Sequence, residues 1–409
     1  MPQIRRRPLL AGLAAAVAAP GLAMAQAQDL KFGALFPFSG ALALLGDESF
    51  RGLEVAVEER NAAGGVLGRQ VRLAKGDAVD QAQAITEVRR LMTAERVAAV
   101  FGTYASPLSF AATQVSELQG VPYFEMGAIS DPITDRGFRY VFRTCPRSSD
   151  FGAVTVAAVP DALAPIYGVD PTTLRIAVLY EDALYGQTVS GFQEQQLRAR
   201  GLNMVEKLAY TARSAELASA VQRLRGVNAD IVLHTGYQND IVLLFRGMQE
   251  ANWKPRMVIG SGAGYSLVDT ARAVGPAFNG VMNVDFTQFA VNERFAPGVS
   301  AFVDLYKRQY GSEPRSGHSL ANYFGARVFL DAVQRAGGTD KDRIRAAVLA
   351  TDIAEGTTAT GWGVRFDERG QNTRAKPFLL QWQDGRQVTV VPQEAAVAQL
   401  RGQMGDPSG

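Results

Sequence analysis

Cysteine is almost missing from this chain. Cys145 is the only one in 409 residues, which excludes an intrachain disulfide framework. A lone cysteine reads as a small buried apolar residue. Histidine is nearly as scarce, with His234 and His318 far apart in sequence. No G-x-S-x-G, Walker-type phosphate loop, H-E-x-x-H or C-x-x-C pattern occurs, and no Asp/Glu cluster has metal-ligand spacing. The chain therefore offers no nucleophile–base pair and no metal set, and neither catalysis nor a cofactor is expected. Past the N-terminal run, no stretch is long and apolar enough to span a membrane.

Charge of one sign is also lacking. Lys and Arg number 42 against 40 Asp and Glu, a formal net charge of +2. Three of the positive charges, Arg5, Arg6 and Arg7, precede the apolar run Leu9–Ala19, and Ala23-Met24-Ala25 follows. A basic start, a short apolar run and an A-x-A site read as an export signal over residues 1–25, cleaved near Ala25. The paired arginines fit a twin-arginine leader as well as an ordinary one. Without the leader's three charges the balance falls from +2 to −1. No basic patch remains to recruit nucleic acid.

The rest alternates. Leu30–Pro37, Val71–Lys75, Val97–Phe101 and Val121–Phe124 are strand-like apolar runs, separated by helical patterns. This is β-α-β-α-β-α-β, which predicts a parallel sheet covered by helices. A second alternating series starts at Leu174–Tyr180 and runs to Met257–Ile259. The fold class is thus α/β, with two Rossmann-like units. The late helices, Phe302–Tyr310 to Lys341–Ala350, are expected to return to the first unit. We expect a first lobe of 28–146 plus 278–355, a second of 147–277 plus 356–392, and a frayed tail over 393–409.

In such sheets ligands gather at the carboxyl ends of strands. Two strand-to-turn junctions stand out, Tyr104-Ala105-Ser106-Pro107 and Glu125-Met126-Gly127-Ala128-Ile129. Ser106 before Pro107 predicts a helix N-cap, a place that also favours an anion. Gly127 permits close approach of a ligand to the backbone. Tyr185 and Tyr237 follow strands of the second unit at equivalent junctions, where amphipathic rings suit a small-ligand pocket. His234 is expected in the core. His318 reads as a capping or packed residue, with ligand contact left open. Gly260-Ser261-Gly262-Ala263-Gly264 has its third glycine one position early for a dinucleotide loop and reads as an interlobe turn.

Taken together, Leu35-Phe36-Pro37-Phe38-Ser39-Gly40, Asn61–Gly68, Gly102–Ser106 and Arg136–Thr144 resemble a family. It is the type I periplasmic solute-binding proteins of the leucine/isoleucine/valine-binding class. The resemblance implies two lobes joined by a three-crossing hinge, in a monomer. It implies a periplasmic protein that delivers a small ligand to the permease of an ATP-driven (ABC) importer. It implies that Tyr104, Ser106, Gly127 and Ala128 meet the ligand from the first lobe, with Ser106 on its carboxylate. Tyr185, Tyr237 and Gly262 would close from the second. Three features depart from the family pattern. Ile129 replaces a threonine contact, Val79 and Ala105 fall where some members have a disulfide, and the acid expected to receive the ligand's ammonium falls near Gly262, where no acid stands. Glu125 is the candidate replacement, or else an ion-pair partner of Arg143 or Arg147. Loss of the usual acid opens the ligand class to carboxylates, aromatic acids, amides and urea. A ligand-sensing protein of the same fold is a further reading.

Overall fold

The computed structural model describes residues 28–211 and 217–405. The expected export signal lies outside the described residues. Five parallel strands form the first sheet, in the order β2-β1-β3-β4-β5. They are β1 (Leu30–Phe36), β2 (Val71–Asp77), β3 (Val100–Gly102), β4 (Tyr123–Glu125) and β5 (Val141–Arg143). All but Lys31 of β1 are buried, as a strand covered on both faces by helices should be. The helices Ala43–Ala62, Gln81–Thr93 and Ser106–Gln119 supply that cover. So does the late helix Gly317–Ala336, which packs along Ala43–Ala62. Glu48 ties the returning chain down, accepting from the Tyr306 hydroxyl at 2.7 Å and the Arg315 N–H at 3.0 Å. Phe124 stacks on Phe329 of the returned helix with ring centroids 4.3 Å apart.

The second sheet has seven strands, in the order β14-β13-β10-β9-β8-β6-β7. They are β6 (Ile176–Glu181), β7 (Met204–Tyr210), β8 (Ile231–Thr235), β9 (Met257–Gly260), β10 (Met282–Asp285), β13 (Phe378–Gln383) and β14 (Arg386–Val391). A short antiparallel pair, β11 (Asp352–Ile353) and β12 (Val364–Arg365), lies between the lobes in sequence. The expectation of a parallel sheet in each lobe is met in the first only. In the second, β13 runs antiparallel to β10, and β14 antiparallel to β13.

Three boundary expectations are corrected. The strand near 278–284 does not begin the return to the first lobe. Met282 and Asn283 pair with Ile259 and Gly260 of β9, and all four β10 residues pair with β13. An interior, fully buried strand belongs to the sheet on both its sides, so the crossing comes after Asp285. Residues 370–372, expected in the second lobe, run beside β5: Arg143 donates to the Gly370 carbonyl and accepts from the Asn372 N–H. The tail is not frayed over its described part. Gln381 bonds the Arg401 backbone in both directions, at 2.7 and 2.8 Å, and Met404 is buried. The chain crosses between lobes after β5, after β10 and before β13. Among the described residues no helix is long and apolar enough to cross a membrane.

Candidate functional site

The strand ends of both sheets converge on a narrow cavity. From the first lobe it is lined by Tyr104, Ser106, Gly127, Ile129 and His318. The second lobe contributes Tyr185, Tyr237, Gly262, Asp285 and the rings of Phe151 and Phe286.

Ser106 is the first residue of its helix rather than the cap, which is Ala105 in extended conformation. Its hydroxyl instead accepts from the Ser130 N–H at 3.2 Å. The side chain therefore sits between two turns, at the amino end of a 14-residue helix. The hydroxyl of Tyr104 donates to the Leu42 carbonyl at 3.0 Å, which holds the ring against the cavity. Gly127 is needed there, because a Cβ would lie 2.9 Å from Cβ of Tyr104.

Glu125 has a different role from the one expected. It is fully buried, and neither it nor Ala128 lines the cavity. One carboxylate oxygen accepts from the N–H groups of Met126, Gly127 and Ala128 at 2.8–3.0 Å. The other accepts from the Thr103 N–H at 2.8 Å and the Ser109 hydroxyl at 2.5 Å. The backbone donors expected to greet a ligand's carboxylate are thus occupied by the protein's own carboxylate. Burial pushes the Glu125 carboxyl up, while Ser109 and the N–H groups oppose that shift. Neither arginine pairs with it. Arg143 donates to the carbonyls of Ala128 and Ser130 and to Gln371. Arg147 pairs with Asp131 and Asp135 at 2.8 and 2.7 Å.

In the second lobe Tyr185 and Tyr237 come together, with ring centroids 5.4 Å apart. Each stands where a strand hands over to a helix: Tyr185 in the first turn after β6, Tyr237 capping the helix after β8. The Tyr185 hydroxyl donates to the Ser261 carbonyl and so braces the turn that carries Gly262. His318 sits on the cavity wall, its Nδ1 paired with the Ser316 hydroxyl at 3.0 Å. Burial pulls its pKa down to about 3, so it is neutral at ordinary pH. The cap of that helix is Ser316, not His318. His234 is in the core as expected, between the hydroxyls of Tyr210 and Tyr265 at 3.0 and 2.6 Å.

Asp285, at the end of β10, was missed by sequence reasoning, together with Phe151 and Phe286. A signal was there: Asp285 directly follows the apolar run ending at Val284, the same strand-end position that drew notice at Glu125. Assigning that run to the first lobe hid it. Asp285 accepts from the Phe286 N–H at 2.7 Å through Oδ1. Oδ2 is buried without a partner. Burial pushes the carboxyl up to about 7. The side chains of Ser266 and Asn283 favour its charged form, though neither makes a hydrogen bond of ordinary geometry to it. Among the described residues no group of His, Cys, Asp and Glu is arranged to hold a metal ion.

Residues 29–387 match the model of a family described as periplasmic binding protein. A curated relative, Leu/Ile/Val-binding protein homolog 7 of Brucella suis, is 49% identical over 393 residues, covering 96% of this chain and 98% of the relative. A leucine binding protein, LivK, from Thermotoga maritima superposes with a TM-score of 0.78 at 22% identity, covering 88% of this chain and 97% of that one. A solute binding protein from R. palustris, solved in complex with benzoate, superposes with a TM-score of 0.77 at 20% identity, covering 93% and 99%.

Proposed function

Because the chain belongs to the periplasmic binding protein family, we propose that it is the substrate-binding component of an ABC importer and captures a small amino acid of branched-chain type. In this reading a leader is removed near Ala25, and the mature chain works in the periplasm as a monomer. It binds and releases without chemistry of its own and needs no cofactor. The observation that carries the reading is the cavity where strand ends of both lobes meet, lined by aromatic rings and Ile129 together with the polar side chains of Ser106, Asp285 and His318. A site closed by two lobes on a hinge can trap a ligand and then surrender it when the lobes separate. The permease is the partner that such a cycle requires.

In this reading the ligand's carboxylate faces Ser106 and its apolar side chain lies among Ile129, Phe151 and Phe286. Tyr185 and Tyr237 close over it. The same rings would also accept an aromatic acid, and the benzoate-bound neighbour favours keeping that second reading. The test is calorimetry and thermal shift on the mature chain with leucine, isoleucine, valine, benzoate and urea. Ligand that binds only the folded state raises its melting temperature. Tight binding of one aliphatic amino acid supports the proposal; binding of benzoate alone replaces the ligand, and binding of none overturns it.

A further inference from the structure

His318 stands in the first turn of the helix Gly317–Ala336 and lines the cavity from the first lobe. Its ring packs on Phe286 of the second lobe, with centroids 4.8 Å apart, and edge-on to Tyr104 at 6.1 Å. Phe286 in turn meets the Phe151 ring at 5.9 Å. The imidazole is thus set into the apolar end of the cavity, among the rings assigned above to the ligand's side chain. Burial pulls its pKa down to about 3, so it carries no charge at neutral pH. A neutral imidazole has one N–H and one bare nitrogen, and which is which decides what it can bind.

A run of hydroxyls fixes the tautomer. His318 Nδ1 lies 3.0 Å from Ser316 Oγ, Ser316 Oγ lies 3.0 Å from Ser266 Oγ, and Ser266 Oγ lies 3.0 Å from the Ala263 carbonyl oxygen. A carbonyl only accepts, so Ser266 spends its one hydrogen there. Ser316 must then donate to Ser266 and has no hydrogen left for the imidazole. Its oxygen also accepts from the His318 backbone N–H at 3.3 Å. Assigned from this network, Nδ1 carries the ring proton and Nε2 is a bare acceptor. Nε2 bonds nothing among the described residues, and it is not one of the partnerless atoms that packing closes off from open space. The space it reaches is the cavity that the residue lines.

We propose that His318 Nε2 accepts a hydrogen bond from the ligand's side chain, so that the ligand is an amino acid whose branched side chain carries a neutral donor, a hydroxyl or an amide N–H. This rests on the reading of the cavity as the ligand site and narrows the side chain within it. Threonine has the shape of valine with one methyl replaced by a hydroxyl. Asparagine has the shape of leucine with an amide at the branch. A hydrocarbon side chain would strip water from Nε2 and return no donor, which leaves a buried acceptor unpaired. A carboxylate side chain has no hydrogen to give either. A site that hydrogen-bonds one group rejects the isostere lacking it far more strongly than an apolar pocket rejects a change of one methyl.

Calorimetry on the mature protein at neutral pH compares threonine with valine and asparagine with leucine, in wild type and in His318→Phe. Phenylalanine keeps a ring between Tyr104 and Phe286 and removes the acceptor; melting curves of the free variant report whether it folds. We expect the wild type to bind threonine or asparagine at least about tenfold tighter than its hydrocarbon isostere, and His318→Phe to lose that preference. The chain has two histidines, so NMR spectra of the histidine ring nitrogens resolve His318 from His234. They should show His318 protonated on Nδ1 and bare on Nε2 in the free protein, with the Nε2 resonance moving when threonine or asparagine binds. Equal or tighter binding of valine and leucine overturns the proposal and leaves the importer reading standing. So does a preference that survives in a folded His318→Phe, or a proton on Nε2 in the free protein. The spectra of the wild type decide the point even where His318→Phe does not fold. Failure of all these amino acids to bind overturns both this proposal and the branched amino acid reading on which it rests.

Discussion

The hydroxyls of Ser130 and Thr188 meet at 2.9 Å, joining the turn after β4 to the helix after β6. Ser130 also donates to the Leu184 carbonyl at 3.3 Å. Small hydroxyls therefore latch the two lobes beside the cavity rather than inside it. A neutral hydrogen bond contributes about 0.5–1.5 kcal/mol net. Ser130→Ala should accordingly weaken ligand binding by about two- to tenfold, through the closed state, with little change in the unfolding midpoint of the free protein. Calorimetry together with small-angle scattering of free and bound protein checks this; unchanged affinity and unchanged closure would remove the latch.

Glu125→Gln tests whether this carboxylate is structural. Five donors converge on its two oxygens. An amide must turn an NH₂ toward some of those donors, leaving buried polar groups unsatisfied at about 1–3 kcal/mol each. We expect a loss of about 2–4 kcal/mol in denaturant unfolding. A variant with the wild-type midpoint and m-value would refute the structural role.

The raised pKa of Asp285 has a consequence for the ligand-free protein. The group is held at about 7 in the folded chain, above its unfolded value of about 3.9. The folded state thus binds this proton more tightly than the unfolded one. The associated stability is full below pH of about 4 and declines as pH rises toward 7. Asp285→Asn removes the decline, so its melting temperature should rise relative to wild type between pH 5 and 8. Parallel melting curves across that range check the sign; a variant less stable than wild type at pH 8 would contradict it.

Gly262→Ala should fail for two reasons at once. The backbone at φ +84° and ψ −154° is strained for any L side chain, at about 1–3 kcal/mol. The new methyl also crowds Phe151 and Asp285. Ligand affinity should fall at least about tenfold, a difference of about 1.4 kcal/mol, and melting temperature should fall too. Binding titrations and melting curves on the same preparation separate the two effects.

The central strands such as β1, β8 and β9 were legible because each is a short apolar run bounded by turn residues, and such runs report burial on both faces. Tyr185 and Tyr237 were legible for a related reason: equivalent strand-to-helix junctions place their residues on the same rim. Glu125 was misread because a carboxylate beside a glycine turn looks alike whether it faces a ligand or folds back on its own backbone. The choice depends on Thr103 and Ser109, from another strand end and another helix. Asp285 was missed because the partner of an apolar run cannot be read from the run itself; β10 is defined by its pairing with β9 and β13, the latter almost a hundred residues further on.

The sequence by itself determined the α/β alternation, the two units, the strand-end turns that line the cavity and the family resemblance, since all of these rest on local periodicity and local turn chemistry. The tertiary structure decided which carboxylate faces the cavity. Glu125 and Asp285 are both strand-end acids, and both are buried. One is surrounded by donors from its own chain, and the other keeps an oxygen without one. That difference is set by non-local packing, which brings Thr103, Ser109 and a backbone turn to Glu125 and leaves Asp285 opposite a glycine.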